Sequence, residues 1–263
     1  MSMRTEFEKL YDRKTSGWFI PAHLEQPFDP ACVDRWRADF PANYAPVELE
    51  VGQLYYSLTK LLRPVLLLET GTHFGYSSHC IADALQENGD SGVLYTVDLV
   101  KENHLFRETE HEGRVVFVHG NSLDVDMNTF VGRDPRRGPG GMPIFDMLVL
   151  DADHRYGGLV AEVKRYAPHL RVGGVMMLHD SMYFDGIGLV VRQLAETGFF
   201  DIITLPTPRR HGIAAGRCPG LTIATKRAAF TEDFLSPDPT LLDVKVCLPG
   251  RTELDPPLVG VGD

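Results

Sequence analysis

Two segments of the chain each place at least one carboxylate and a histidine directly after a run of apolar residues. Asp151, Asp153 and His154 follow the first run, and His179 and Asp180 follow the second. Carboxylates and imidazoles that lie close together can bind a divalent cation or exchange protons with a substrate. The pattern therefore indicates a metal site or an acid–base site, provided that the fold brings the two segments together.

A loop with two glycines follows an earlier apolar run, in the segment ETGTHFGYSS (69–78). Gly71 and Gly75 would let the backbone turn sharply and approach a ligand closely. Glu69, at the end of the run, is placed to hold an amino or hydroxyl group. The spacing lacks the GxGxxG form of dinucleotide-binding loops and the lysine of phosphate-binding loops. This weakens, but does not remove, the interpretation as an NAD-dependent oxidoreductase.

Further polar residues follow the next two apolar runs. Asp98 ends one of them and is suited to accept hydrogen bonds from both hydroxyls of a ribose, although a turn or helix-capping role is the simpler alternative. Asn121 and Ser122 form a polar turn after the other run, where the edge of an adenine would be accessible. These residues extend the candidate site beyond the acid–histidine segments.

The apolar runs alternate with helical patterns along the chain. We predict helices at 46–62, 77–88, 157–170 and 187–198, and seven strands at 65–70, 93–99, 114–120, 144–153, 172–180, 199–205 and 221–226. Such alternation predicts an α/β fold with a doubly wound, mostly parallel seven-stranded sheet. In such sheets the ligand lies beyond the carboxyl ends of the strands, where all the residues named above are expected.

The remainder of the chain is expected to flank this sheet. We predict a helical or irregular N-terminal extension at 1–45, acting as a lid or an oligomer contact, a central domain at 46–230 and a C-terminal tail at 231–263. No run of about 18 apolar residues and no apolar signal core is present. The four cysteines lack the CxxC spacing of metal sites and are expected to be reduced thiols. These features predict a cytoplasmic protein.

Acidic residues outnumber basic ones, 36 to 26, which gives a formal net charge of −10. A charge of this sign repels polyanions. We therefore expect neither a nucleic-acid partner nor binding to anionic membranes.

Taken together, the motifs ETGTHFGYSS, LDADHRYGG and VGGVMMLHDS resemble those of the class I S-adenosylmethionine (SAM)-dependent methyltransferases. The likeness covers roughly residues 46–226 and is greatest to small-molecule O-methyltransferases of the catechol, caffeoyl-coenzyme A and macrolide-sugar type. It implies a Rossmann-like fold and SAM as cofactor. It also assigns the predicted cofactor contacts, with Asp98 at the ribose, Asn121 and Ser122 near the adenine, and the methionyl part near Glu69, Gly71 and Gly75. Thr72, Ser77 and Asp151 are predicted as further cofactor-binding residues.

The resemblance also implies a divalent-metal site and a catalytic base. The metal ligands would be Asp151, His179 and Asp180, and His179 stands where related enzymes usually have a carboxylate. Because magnesium prefers oxygen ligands, this histidine favours manganese, iron or zinc over magnesium. His154 matches the position of a base, and with a near-neutral pKa it would take the proton of the methyl acceptor, with Asp151 as its catalytic partner.

The sequence thus predicts an enzyme that moves a methyl group from SAM to a hydroxyl of a small molecule, such as a phenol, a sugar or a natural product. We expect a homodimer or a larger homo-oligomer. Three alternatives remain at this point: an N- or carboxyl-methyltransferase without a metal, a non-catalytic subunit with the same fold, and the NAD-dependent oxidoreductase.

Overall fold

The computed structural model describes residues 47–89, 91–100, 106, 111–131, 138–207 and 219–245. The predicted extension at 1–45 and the last part of the predicted tail lie outside these residues, so their roles stay predictions. Within the described residues, no helix is both long and apolar enough to cross a membrane.

Helices and strands alternate as the apolar pattern predicted. The described helices are α1 (Leu49–Leu62), α2 (Tyr76–Asn88), α3 (Tyr156–Tyr166) and α4 (Asp185–Thr197). The strands are β1 (Leu66–Thr70), β2 (Val93–Asp98), β3 (Val115–His119), β4 (Phe145–Leu150), β5 (Leu170–His179), β6 (Phe200–Leu205) and β7 (Leu221–Lys226).

One helix ends earlier than its pattern predicted. We expected α3 to continue to residue 170, but it ends at Tyr166 and a short 3₁₀ turn covers Ala167–His169. Pro168 explains the difference, because its ring removes the N–H that a further helical turn requires. Strand β5 then starts at Leu170, slightly before the predicted strand.

The seven strands form one sheet in the order β3-β2-β1-β4-β5-β7-β6. Strands β1 to β5 are parallel, and β7 runs antiparallel to both β5 and β6. The predicted mostly parallel seven-stranded sheet is confirmed. The strand order reverses between β1 and β4, so the carboxyl ends of these two neighbours form the crevice in which such folds bind ligands.

The core lies on both faces of the sheet, because successive residues of a strand point to opposite faces. On one face Leu68 and Leu148 belong to the apolar cluster that also contains Leu159 of α3 and Val190 of α4. On the other face Leu67 and Met147 belong to the cluster of α1 and α2. All five residues of β1 are buried, as expected for a strand that is covered on both sides.

The described part of the tail packs against the start of α3. The backbone N–H groups of Tyr156 and Gly157 donate to the carbonyl oxygens of Val244 and Leu242, at 2.8 and 2.9 Å. These bonds satisfy two donors that have no partner inside the helix. They fix the beginning of α3 directly after His154.

Candidate active site

The acids and histidines that follow β4 and β5 lie close together, as predicted. Leu150 pairs with Leu178 across the two parallel strands, so the residues after them meet at one edge of the sheet. His154 Nε2 lies 3.5 Å from Asp151 Oδ1 and 3.4 Å from Asp180 Oδ2. The His154 ring therefore stands between two carboxylates.

His179 also faces both of these carboxylates. Its Nδ1 lies 3.5 Å from Asp151 Oδ2 and 3.7 Å from Asp180 Oδ1. Asp180 has a left-handed backbone (φ 57°), which is uncommon outside glycine, asparagine and aspartate. Strained backbone of this kind is concentrated at functional sites.

The carboxylates determine the charge of the two imidazoles. Burial alone would lower the pKa of His154, but its bonds to Asp151 and Asp180 outweigh that effect and raise the pKa to about 9. His179 follows the same pattern, and its pKa is well above the usual value. The near-neutral pKa that we predicted for His154 is wrong, because two carboxylates lie beside the ring. The sequence could not predict this, because no sequence pattern shows how many carboxylates surround a side chain. The surrounding carboxylates thus favour the cationic form of both rings.

Asp153 does not join this cluster. Its carboxylate binds the side chain of Arg155 at 2.8 Å and accepts the Arg155 backbone N–H at 2.9 Å. Asp153 thereby closes the turn into α3 and leaves Asp151 and Asp180 as the acids beside His154.

Glu48 is a member of the site that the sequence did not indicate. It lies just before α1, is 2% exposed, and pairs with His179 Nε2 through its Oε2 at 2.8 Å. Its Oε1 accepts a hydrogen bond from the Thr207 hydroxyl at 3.0 Å. The His179 ring is thus held by carboxylates at both nitrogens. An acid before a helix is common, so its type and position carried no signal.

Three residues of the cluster could hold a metal ion. Asp151, His154 and Asp180 each offer a ligand atom, and these atoms lie within 4.8 Å of one another. The predicted set contained His179 instead of His154, and His179 as a ligand stays a prediction. A mixed nitrogen and oxygen set suits manganese, iron or zinc better than magnesium.

Several predicted cofactor residues bind one another beneath the glycine loop. Glu69 is fully buried and accepts hydrogen bonds from the hydroxyls of Ser77, Ser78 and, at 2.5 Å, Thr96. Thr72 is linked to Thr96 at 2.7 Å. Burial raises the pKa of Glu69 to about 7 although the three hydroxyl bonds lower it. These contacts fix the shape of the loop, while contact with a cofactor stays a prediction.

Gly71 joins the glycine loop to the acid cluster. Its φ is +83°, and a Cβ at this position would lie 2.2 Å from the carbonyl oxygen of Asp151. Both the backbone angle and the contact therefore require glycine. Gly75 likewise has a positive φ of 77° and is the N-cap residue that precedes α2.

Asp98 connects the end of β2 to the glycine loop. Its Oδ2 accepts the His73 N–H at 2.7 Å, and its Oδ1 accepts the Val100 N–H at 2.9 Å. The turn role that we had considered as an alternative is therefore present. Each oxygen keeps a lone pair, so these bonds are compatible with the predicted ribose contact, which stays a prediction.

The two residues predicted near the adenine differ in their surroundings. Asn121 is exposed, and its side-chain oxygen accepts the Leu123 N–H at 3.0 Å. Ser122 donates to Glu162 of α3 at 2.5 Å, and Glu162 also accepts from Thr70 at 3.2 Å. Glu162 thus joins the ends of β1 and β3. The sequence did carry a signal for it, a carboxylate on the apolar face of α3.

The buried Glu162 makes a testable contribution to stability. Burial raises its pKa to about 7, although bonds from Ser122 and Thr70 lower it. The folded state therefore favours the protonated acid. The stability that the protonated Glu162 contributes is fully present below the pKa of the unfolded chain and is lost as the pH rises through about 7. Compared with wild type, Glu162→Gln should be similar at pH 5 and more stable by roughly 2–3 kcal/mol at pH 8.

The measurement is urea unfolding of both proteins at each pH, so that the titration of other groups cancels. The exposed Glu196→Gln on α4 serves as the control for replacing a carboxylate outside the core. A constant difference between Glu162→Gln and wild type would contradict the raised pKa.

Comparisons with known proteins agree with this geometry. Residues 68–181, from β1 to the end of the acid–histidine segment, match the family model of a methyltransferase domain. This part of the chain is thus similar to a methyltransferase domain, and the solved methyltransferases named below share its fold.

Two groups of relatives illustrate the likeness. Rhamnosyl O-methyltransferases of Mycobacterium tuberculosis and Mycobacterium bovis are 28% identical over 127 residues, which is 48% of this chain and 50% of theirs. The chain thus matches about half the length of these relatives. The O-methyltransferase TomG of Streptomyces achromogenes, solved with SAM, is similar over 87% of this chain and 100% of its own, at 20% identity and a TM-score of 0.61. A Bacillus cereus O-methyltransferase, solved with S-adenosylhomocysteine (SAH), is similar over 84% and 99%, at 19% identity and a TM-score of 0.59.

Proposed function

We propose that this protein is an enzyme that transfers a methyl group from SAM to a hydroxyl of a small molecule. The observation that supports this most directly is the contact between Gly71 and Asp151. It brings the predicted cofactor loop against a cluster of acids and histidines that is equipped for proton transfer. The names of the O-methyltransferase relatives favour oxygen over nitrogen as the acceptor atom.

The residues of this site fit a cationic cofactor. Asp151 and Asp180 place carboxylates at the ends of β4 and β5, Glu69 lies buried beneath the glycine loop, and Asp98 offers acceptors for ribose hydroxyls. When bound, SAM supplies an electrophilic methyl group. We assign the binding of its ribose to Asp98, the neighbourhood of its adenine to Asn121 and Ser122, and that of its methionyl part to the loop from Glu69 to Ser77.

We assign the role of general base to His154. In its neutral form the ring accepts the proton of the acceptor hydroxyl, which leaves an oxygen nucleophile. Asp151 and Asp180, at 3.5 and 3.4 Å, orient the ring and stabilise the imidazolium that forms. Both features are those of an acid–histidine pair in general-base catalysis.

Calorimetry with SAM, SAH and NAD, followed by turnover assays, tests this function. We expect micromolar binding of SAM and SAH, corresponding to about −8 kcal/mol, and none of NAD. Incubation with SAM and panels of phenols, sugars, amines and acids should give a methylated hydroxyl product, detected by mass spectrometry. Binding of NAD without SAH would overturn the proposal. Binding of SAH without turnover on any panel would favour the non-catalytic subunit.

Metal assistance is a second candidate. It is favoured because the ligand atoms of Asp151, His154 and Asp180 all lie within 4.8 Å of one another. A ring nitrogen that holds a metal cannot also accept a proton, so the two roles of His154 exclude each other. We expect the base role, because His154 and His179 already offset much of the charge of the three surrounding acids. EDTA should then leave the rate unchanged. Loss of activity in EDTA, restored better by Mn²⁺ or Fe²⁺ than by Mg²⁺, would instead support a catalytic metal.

We further propose that the protein works in the cytoplasm as a homo-oligomer, with no nucleic-acid or membrane partner. The net charge of −10 supports the last point. Light scattering of the purified protein would test the oligomeric state.

A further inference from the structure

Tyr55 of α1 carries a buried hydroxyl that takes part in none of the contacts of the candidate active site. The residue has no exposed surface, and among the described residues no group forms a hydrogen bond with its hydroxyl. The neighbouring Tyr56 differs, because its hydroxyl donates to Glu87 at 2.6 Å. A buried hydroxyl without a hydrogen-bond partner costs stability. A bound ligand that forms this hydrogen bond would remove the cost.

The position of Tyr55 directs this hydroxyl towards the crevice. Tyr55 belongs to the apolar cluster that contains Leu67 of β1, Val149 of β4 and Met177 of β5. Since alternate residues of a strand share one face, the next residues on this face are the site residues Glu69, Asp151 and His179.

The geometry of α1 indicates the same orientation for the Tyr55 hydroxyl. Side chains of a helix incline towards its N-terminus, and Glu48 at that end of α1 reaches His179 at 2.8 Å. Tyr55 lies two helical turns after Glu48, on the same side of the helix. Its hydroxyl therefore points along α1 towards the carboxyl ends of the strands.

The charges around Tyr55 define the kind of ligand. Besides burial, the negative charges of Asp151, Glu69, Glu48 and Asp180 all hold the pKa of Tyr55 well above its usual value. The phenol thus stays protonated, and because these acids outnumber the two histidines beside them, the field around it is net negative. Such a field favours a cationic group and disfavours a carboxylate.

Building on the proposed function, we propose that the Tyr55 hydroxyl oxygen accepts a hydrogen bond from the α-ammonium group of the cofactor. Tyr55 is then a further cofactor-binding residue, supplied by the helix that precedes the glycine loop. The bond forms only in the complex, so the hydroxyl weakens the ligand-free fold and strengthens the bound one.

Two tyrosine-to-phenylalanine variants test this assignment. Tyr55→Phe removes the unpartnered hydroxyl, and Tyr56→Phe, the matched control, removes the partnered one. Affinities are measured by calorimetry for SAH, which has the ammonium group, and for 5′-methylthioadenosine, which lacks the amino-acid part. Thermal unfolding of the ligand-free proteins is measured alongside.

We expect Tyr55→Phe to weaken SAH binding roughly tenfold, to leave 5′-methylthioadenosine binding unchanged, and to raise the ligand-free melting temperature by a few degrees. Tyr56→Phe should change neither affinity and should lower the melting temperature. Unchanged SAH affinity in Tyr55→Phe, or equal weakening of both ligands, would overturn the assignment while the proposed function stands. A wild-type protein that binds neither ligand would overturn both.

Discussion

Replacing His154 with alanine should lower kcat/KM by about 10²–10⁴-fold at pH 9, the usual effect of removing a general base. The loss follows from the position of the ring between Asp151 and Asp180, where it is held to accept a proton. His154→Gln should lose as much, because an amide can form hydrogen bonds but cannot take up a proton. SAH affinity should change little in either variant.

The pH dependence makes this expectation specific. With a pKa of about 9, the His154 ring of the free enzyme is mostly protonated at neutral pH. Only about 1% of it is neutral at pH 7, so wild-type kcat/KM should rise about tenfold per pH unit until it levels near pH 9. The ring is half neutral at pH 9, so the penalty of the alanine variant should be about 50-fold smaller at pH 7 than at pH 9.

The profile is measured in EDTA, so that no metal occupies the ring nitrogen. His169→Ala is the control, since His169 precedes β5 at the opposite edge of the sheet and should keep the wild-type profile. A wild-type profile that is flat between pH 7 and 9, or one that His154→Ala retains, would rule out His154 as the base.

Replacing Gly71 with alanine should destabilise the protein by roughly 2–5 kcal/mol, from a left-handed backbone and an overpacked contact together. The added methyl group would lie 2.2 Å from the Asp151 carbonyl oxygen, and backbone atoms cannot move aside as a flexible side chain can. Because Asp151 would have to shift, we also expect SAH binding and turnover to fall below detection. Urea unfolding and calorimetry measure the two effects.

Gly89→Ala separates the two causes. Gly89 also has a positive φ, +71°, but nothing lies within 4 Å of an added Cβ. It should therefore show the backbone cost alone, about 1–2 kcal/mol, with normal SAH affinity. Equal destabilisation in the two variants would mean that the backbone at Asp151 moves aside at no cost. The Gly71–Asp151 contact would then not hold the glycine loop against the acid cluster.

The sequence by itself determined the sheet and the edge at which the site lies. Each strand is a short apolar run, and the runs alternate with helical periodicity, so local composition is enough to predict a doubly wound fold. The predicted neighbours Asp151, His154, His179 and Asp180 meet because parallel strands bring their carboxyl ends to one edge. The glycine loop was equally evident, since a residue type that tolerates a positive φ is itself the signal.

Only the tertiary structure decided the charge of these residues and which distant residues join them in the site. The contact between His179 and Glu48 spans 131 residues along the chain, and that between Ser122 and Glu162 spans 40. The sequence does not reveal such pairings, because even a carboxylate on the apolar face of a helix, such as Glu162, does not indicate which distant residue it binds. The pKa of His154 likewise depends on how many carboxylates surround the ring, and the unpartnered hydroxyl of Tyr55 depends on which side of α1 faces the strand ends. A linear sequence specifies these quantities only through the packed fold, where burial and charge act across elements that are distant in the chain.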